Sequence, residues 1–216
     1  IGAAIAGLAV LVVMPDWQGR RLTQVAANAL AANSRYLREI MIQYEMGKRD
    51  DLAYRLARRN AHNADAALSM AMSNMLAEPG HFRRDADAGL RFLTLSHTLL
   101  NYLSGLGAHR ESLSDHASDA QIARMTMGVI DALDGIAAGM AGKGGLAASS
   151  EAEVALTRAL ERLPDDGDDT DDGHRLVLTQ LGLIGGLLGP LRKVGSRVVR
   201  LEWREVEEES AEGAGA

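Results

Sequence analysis

The stretch LTQVAANALAANSRYLREIMIQY, residues 22–44, decides the fold class of this protein. Its apolar and small residues recur at steps of four, three, four, three and four, which is the spacing of one face of an α-helix. The residues that follow this spacing are Leu22, Ala26, Ala29, Asn33, Tyr36 and Ile40, and Val25, Leu30, Leu37, Met41 and Tyr44 widen the stripe. The pattern predicts a long helix ending at Gly47 and packed along one side, with Asn33 as a polar residue that sets the register of packing.

Helical spacing continues from the turn KRDD (48–51) onward. A second helix, with Asp50 or Asp51 as its N-cap, is predicted to run to EPG at 78–80. Its expected inward residues are Leu52, Leu56, Ala64, Ala67, Leu68, Met72, Met75 and Leu76. A third helix, about 85–106, has two apolar seams, which are Leu90, Leu93, His97 and Leu100, and Phe92, Leu95, Leu99, Tyr102 and Leu106. Because a helix that is apolar on two sides packs between neighbours, we expect it to be the central element.

Three more helices follow a polar loop. The fourth, about 117–140, is patterned on Ile122, Met125, Val129, Leu133, Ile136 and Met140. Ser150 and Glu153 have the spacing of a capping box and predict a short helix to Leu163. The last, about 174–199, carries Val177, Leu181, Ile184, Leu188, Leu191 and Val198, together with five glycines and Pro190. No segment has a convincing strand period, so the predicted fold is all-α.

The segment before this bundle, Ile1 to Met14, has no charge and no strongly polar side chain. Fourteen helical residues cover only about 21 Å, whereas a membrane span needs about 20 residues. A short buried helix and a secretory signal are alternatives, but the flank favours the end of a transmembrane helix. Pro15 would break that helix, Trp17 suits the membrane interface, and Arg20 and Arg21 suit a cytoplasmic end.

The predicted organisation is therefore a cytosolic bundle of five to six helices that follows the end of a transmembrane helix. Its parts are a membrane segment (1–14), an interface segment (15–21), the bundle (22–163), an acidic disordered linker (164–173), a C-terminal helix packed on the bundle (174–200) and an acidic disordered tail (201–216). The two disordered parts are expected because such charge density cannot bury enough apolar surface.

Charge is segregated along the chain. The net charge is −6, but DDGDDTDD (165–172) holds six Asp and EWREVEEESAE (202–212) holds six Glu against one Arg. The remainder carries about five net positive charges, so a basic body bears acidic appendages. The absence of cysteine excludes disulfides and thiolate metal sites.

No pattern in the sequence indicates catalysis, a cofactor or a metal site. The six histidines show no metal-ligand spacing, and His97 is expected to be a core histidine bonded to a neighbour. The most notable polar pattern is a row at steps of three and four on the second helix, Arg55, Arg58, His62 and Asp65. Two interpretations remain open, an ion-pair row and an anion or proton-linked site.

Five blocks of the sequence together resemble a known family. They are PDWQGRRL, LAANSRYLREIM, KRDDLAYRLARRNAHNADAALS, SNMLAEPGHFRRDAD and LSHTLLNYLSGLGAHR, and the likeness covers about residues 8–111. In this order they resemble the fusaric-acid-resistance-type (FUSC) integral inner-membrane proteins, and within them the YccS/YhfK-like branch. The resemblance implies the end of the last span and the C-terminal cytosolic domain of a larger transporter or exporter, with relatives that export aromatic carboxylic acids.

The resemblance also sets the expected location and partners. Residues 20–216 are expected on the cytoplasmic side of the bacterial inner membrane, with the lipid bilayer and the upstream membrane bundle of the same polypeptide as partners. A homo-oligomer is compatible with this organisation, and no nucleic acid or cofactor is expected. The competing hypothesis is a membrane-anchored helical scaffold that binds a partner protein, whereas a soluble enzyme has little support.

Overall fold

The computed structural model describes residues 18–46, 51–77, 86–108, 120–142, 145–162 and 172–213. Six helices make up almost all of this part, and it contains no strand. They are α1 (Gln18–Met46), α2 (Leu52–Ala77), α3 (Ala86–Ala108), α4 (Ala120–Ala141), α5 (Glu151–Arg162) and α6 (Asp172–Gly213). The predicted all-α bundle is confirmed.

Helix α1 buries the stripe from which the fold was predicted. All six stripe residues are at most 8% exposed, and Leu30, Leu37 and Tyr44 are buried with them. Asn33 is fully buried, and neither of its amide atoms has a hydrogen-bond partner among the described residues. The helix begins at Gln18, four residues before the patterned stretch.

Helices α1 and α6 are the two central elements. Helix α1 packs against α2, α3, α4 and α6, and α6 packs against α1, α3, α4 and α5. The prediction that α3 would be central is wrong, because α3 packs against only α1, α2 and α6. Phe92, Leu99 and Leu106 of its second seam are buried, whereas Leu90 of the first seam is 41% exposed. One apolar seam of α3 and a few flanking residues therefore make the contacts with its three neighbouring helices.

Helix α2 begins at the predicted cap, but the face that it turns inward is only partly the predicted one. The Ala53 amide donates to Asp51 Oδ1 at 2.8 Å, which confirms Asp51 as the N-cap. The buried residues are Tyr54, Ala61, Asp65, Leu68 and Met72, whereas the predicted inward residues Leu52, Leu56, Ala67 and Leu76 are exposed. The prediction is confirmed for Leu68 and Met72, and Ala64 and Met75 are partly buried. It was wrong for the other four because apolar residues occur around most of α2, and the buried Tyr54 and Asp65 find partners on α1 and α3.

Helix α6 passes through Pro190, which is exposed on its outer side. All six residues of its predicted inward stripe are buried. Gly195 allows a close approach of helices, since a Cβ there would lie 3.1 Å from Met140 Sδ and 3.5 Å from Phe92 Cε2. The short helix α5 packs against α4 and α6, with Leu160 fully buried.

The acidic segments differ in part from the expectation. Residues 163–171, which hold most of the predicted linker, lie outside the described residues, while Asp172 and Gly173 begin α6. Where a disordered tail was expected from residue 201, α6 continues to Gly213. Glu is a good helix former, and extending an existing helix needs no new nucleus.

The predicted membrane segment 1–14 and Trp17 also lie outside the described residues. None of the helices that the structure describes is long and apolar enough to cross a membrane.

Candidate functional site

The predicted polar row on α2 is divided between two environments. Arg55, Arg58 and His62 are exposed, whereas Asp65 is 7% exposed and faces α3. The division follows from the helix itself, because Asp65 lies closer than the other three to the line of Tyr54, Ala61 and Met72 that packs inward. The functional role of this row stays a prediction.

Asp65 is paired with His97 across the interface of α2 and α3. Asp65 Oδ2 lies 3.0 Å from His97 Nδ1, and the side chains of Asp65 and His97 are 10% and 59% exposed. Asp65 Oδ1 is buried with no hydrogen-bond partner among the described residues. The expectation that His97 bonds a neighbour is thus confirmed, but His97 is not a core residue. Because one oxygen of the buried carboxylate is satisfied only by His97, this histidine is important for keeping Asp65 inside.

Three tyrosines gather around the C-terminal turn of α3. The Tyr54 hydroxyl lies 3.4 Å from that of Tyr36 and donates to the Gly107 carbonyl at 3.4 Å, while the Tyr44 hydroxyl donates to the Leu106 carbonyl. The last four carbonyls of a helix lack helical partners, so these hydroxyls cap the end of α3. Burial raises the pKa of Tyr36 well above its ordinary value, and Tyr54 raises it further, whereas the positive charge of Arg58 lowers it.

A buried ion pair joins α5 to α6. Arg192 Nε donates to Glu153 Oε1 at 3.0 Å, and Arg192 Nη2 bonds Glu153 Oε2, so the pair is bidentate. Arg192 Nη1 also donates to the Ala147 carbonyl at 3.0 Å, and the two side chains are only 13% and 7% exposed. The capping box predicted at Ser150 is half formed, since the Glu153 amide donates to Ser150 Oγ at 3.1 Å. The Glu153 side chain binds Arg192 instead of returning to the Ser150 amide. We call the ion pair of Glu153 with Arg192 the α5–α6 clamp.

A half-open cavity of about 460 Å³ lies between α3 and α6. Its lining residues are Arg91 on α3 and Gly189, Pro190, Lys193, Val194 and Arg197 on α6. Three of these six carry a positive charge and none carries a negative one. Arg91 Nε lies 3.0 Å from Asp87 Oδ2, and both side chains of that pair are exposed. We call this feature the cationic cavity. No sequence pattern predicted it, because Arg91 and Arg197 are brought together only by the packing of α3 on α6.

The cationic cavity lies toward the end of the bundle at which α1 begins. A Cβ at Gly89, two residues before Arg91, would lie 3.3 Å from Leu22 Cδ2. The predicted interface residues Arg20 and Arg21 belong to the same end of α1, although their side chains lie outside the described residues. No group of three His, Asp or Glu residues in the described part of the chain could hold a metal ion.

Comparison with known proteins identifies related sequences. The chain is 37% identical over 201 residues to inner membrane protein YccS of Escherichia coli (strain K12), which covers 93% of this chain and 27% of that protein. It is 43% identical over 121 residues to an uncharacterized protein of Haemophilus influenzae, covering 56% of this chain and 17% of the relative. It is 37% identical over 108 residues to uncharacterized protein ORF2 of Neisseria gonorrhoeae, covering 50% of this chain and 26% of that protein.

These matches confirm the resemblance to YccS that the sequence blocks predicted, and extend it beyond residue 111. The chain spans about a quarter of the length of YccS. No protein-family model matches the chain, and no solved structure matches it.

Proposed function

We propose that this chain, a relative of inner membrane protein YccS over 93% of its length, is the C-terminal cytosolic domain of an inner-membrane exporter of the FUSC type. The observation that carries the proposal is the similarity to YccS, which also supports association of the chain with the inner membrane. The transported compounds would be small organic acids, aromatic carboxylic acids among them. The bundle would help to assemble the transporter or to gate it.

The packing of α1 supports a role in assembly or gating. Helix α1 follows the apolar segment 1–14 and packs against four of the other described helices. Because packed interfaces transmit displacement instead of absorbing it, a shift at the start of α1 would reach most of the bundle. A helix at the edge of the bundle would couple poorly to a membrane segment.

The transport proposal is tested with the full-length protein reconstituted into proteoliposomes. Efflux of radiolabelled benzoate should exceed that from liposomes without the protein, and benzyl alcohol of similar size should show no such difference. If no organic acid in a panel of aromatic and aliphatic carboxylates is moved faster than by empty liposomes, the transport proposal is wrong.

The cytoplasmic orientation is tested with a single cysteine at Gln24 in a cysteine-free full-length protein. Gln24 is exposed on α1, whereas the adjacent Thr23 is 5% exposed and unsuitable for labelling. The cysteine should react with a membrane-permeant maleimide in intact cells but with an impermeant one only after the membrane is opened. Labelling of intact cells by the impermeant reagent from the periplasm would reverse the orientation.

The polar row is proposed as an anion or proton-linked site through its exposed members Arg55, Arg58 and His62. Arg58→Ala should leave the protein folded, because losing an exposed charge costs about 0 to 1 kcal/mol. A functional row requires that this variant lose export while its unfolding midpoint is unchanged. Normal export by the folded Arg58→Ala protein would exclude a functional site, and the row would then be an ion-pair row.

The second candidate function is a membrane-anchored scaffold for a partner protein. It is favoured by three apolar side chains on one exposed face of α2, where Leu52, Leu56 and Met70 are 61%, 38% and 65% exposed. Leu56→Ser together with Met70→Ser should abolish binding of the partner without lowering stability. If the same double variant exports organic acids normally and no partner is retained by the unmodified protein, the scaffold hypothesis fails.

A further inference from the structure

Two of the three positive charges of the cationic cavity have no acidic partner in the described part of the chain. Lys193 and Arg197 make no ion pair or side-chain hydrogen bond with any described residue. Within α6 their neighbours at three and four positions include no acidic residue, and they are themselves four residues apart. Like charges at this spacing destabilise a helix. Repulsion between Lys193 and Arg197 therefore destabilises this face of α6, and binding of an anion would reduce that repulsion.

The walls of the cavity are apolar between the charges. Pro190 and Val194 lie on the same stretch of α6 as Lys193 and Arg197, and Gly189 adds no side chain. Asp87 engages Arg91 through Nε, which leaves the two terminal guanidinium nitrogens outside that contact. A guanidinium fork suits carboxylate and phosphate oxygens, and about 460 Å³ is within the range of small-molecule sites.

We propose that the cationic cavity formed by Arg91, Lys193 and Arg197 binds a small organic anion, a carboxylate or phosphate carried on an apolar body. The anionic group lies among the three cations, and the apolar body lies against Pro190 and Val194. The site is independent of the transport proposal, because binding is measured on the chain itself and needs no export assay.

The sequence around the cavity favours a soluble anion over an anionic membrane surface. Helix α6 continues directly from Arg197 into residues 202–212, which hold six Glu against one Arg. Those charges would repel a bilayer of anionic lipids close to the cavity, since surface potentials act within about one Debye length. A small anion meets the same repulsion with only one or two charges, whereas an anionic bilayer surface presents many.

The proposal is tested by isothermal titration calorimetry of the purified 216-residue chain in a neutral detergent. Phenyl phosphate and benzoate are the probes, inorganic phosphate tests charge alone, and phenol tests the apolar body alone. We expect the two organic anions to bind more tightly than inorganic phosphate, phenol not to bind, and affinity to fall as salt is raised. Whichever of phenyl phosphate and benzoate binds with the higher affinity shows whether the cavity prefers phosphate or carboxylate.

The variants assign the binding to this cavity. Arg197→Gln should weaken binding of the stronger probe at least about tenfold, because a charge-assisted contact is lost, and Lys193→Gln with Arg197→Gln should abolish it. Arg124→Gln, an exposed arginine on α4, is the matched control and should bind normally. Circular dichroism checks that each variant is folded, and Arg91→Gln on α3 replaces any variant that is not.

Three results would overturn the proposal. Phenol could bind as tightly as phenyl phosphate, which would make the site merely apolar. Affinity could be unchanged in Arg197→Gln and Arg91→Gln, which would place the anion elsewhere. The chain could bind none of the soluble anions but bind vesicles containing phosphatidylglycerol, and lose that binding in Arg197→Gln. The cavity would then be a lipid contact.

Discussion

Replacing Glu153 tests how the α5–α6 clamp holds helix α5 in place. Glu153→Ala removes both oxygens that Arg192 binds, and leaves the guanidinium bonded to the Ala147 carbonyl among the described residues. The Arg192 side chain is only 13% exposed, so water cannot replace the lost carboxylate without some opening of the interface. The variant therefore leaves a largely buried cation without its counter-charge.

The expected cost follows from this burial. Breaking a buried ion pair by removing one partner costs about 3 to 5 kcal/mol, most of it from the charge that remains. Replacing both partners by apolar residues of similar size, Glu153→Leu with Arg192→Met, should cost much less than Glu153→Ala, because no buried charge is left. The double variant separates the cost of an orphaned charge from the cost of lost packing.

The exposed pair between α1 and α4 provides a matched control. Arg38 Nη2 lies 3.1 Å from Asp134 Oδ2, and the side chains of Arg38 and Asp134 are 45% and 46% exposed. Both pairs join two helices through an arginine and a carboxylate, but they differ in burial. Asp134→Ala should therefore cost only about 0 to 1 kcal/mol.

The measurement is urea unfolding of the purified chain, followed by hydrogen exchange of the α5 amides. Exchange is needed because α5 has only 12 residues and could detach before the rest of the bundle unfolds. Equal costs for Glu153→Ala and Asp134→Ala would refute the reasoning, since burial would then not decide the strength of the pair. A double variant no more stable than Glu153→Ala would show that packing, not the orphaned charge, sets the cost.

Three further predictions concern the core of α3 and the tyrosines. Leu99→Ala should cost about 2 to 5 kcal/mol, whereas Leu93→Ala, at a half-buried position, should cost clearly less; equal unfolding midpoints would contradict the single-seam packing of α3. Gly107→Ala should be destabilising, because a Cβ there would lie 2.8 Å from the Tyr54 hydroxyl oxygen and 2.9 Å from that of Tyr36; Tyr54→Phe should recover part of the loss in thermal unfolding, and full tolerance of Gly107→Ala would disprove the contact. Because the pKa of Tyr36 is raised in the folded protein, its contribution to stability should be fully present well below about pH 10, the pKa of the unfolded side chain, and fall as the pH rises through that value; Tyr36→Phe should flatten this fall in unfolding midpoints measured from pH 8 to 11.

Helices with one clear apolar stripe could be predicted from the sequence in orientation, although α6 continues to Gly213, well beyond its predicted end. In α1 and α6 the inward residues are Leu, Ile, Val, Ala and Tyr at helical spacing, and the predicted stripes are all buried. Pro190 lies within α6 without ending the helix, and its side chain is exposed. Side-chain periodicity is enough to predict the buried face of a helix when one face is distinctly less polar than the others.

Helix α2 shows where periodicity stops being informative. Leu52, Leu56 and Met70 could face inward as well as Tyr54 and Leu68 do, so hydrophobicity alone does not choose between the faces. The buried face also carries Asp65, whose carboxylate contacts His97 on another helix, 32 residues later. A single sequence gives no sign of which polar residue has a distant partner.

The functional candidates depend on distant contacts even more strongly. Glu153 was expected to complete a capping box with a residue three positions away, yet it binds Arg192, 39 residues later. The cationic cavity needs α3 and α6 side by side before Arg91 and Arg197 share a surface. The sequence does reveal segregated charge, but the basic residues that define a cavity are identified only once the helices are packed.

One turn of α6 connects the α5–α6 clamp to the cationic cavity. Arg192 and Lys193 are consecutive, so their side chains leave the helix about 100° apart, one toward α5 and the other toward α3. The buried apolar stripe sets the rotation of α6 about its own axis, and the bidentate contact of Arg192 with Glu153 adds to that restriction. That restriction in turn directs Lys193 and Arg197, one helical turn apart, toward Arg91. The clamp thus contributes to the position of two of the three cations of the cavity without touching a ligand, which gives a physical reason for an ion pair at a place where an apolar pair should cost little stability.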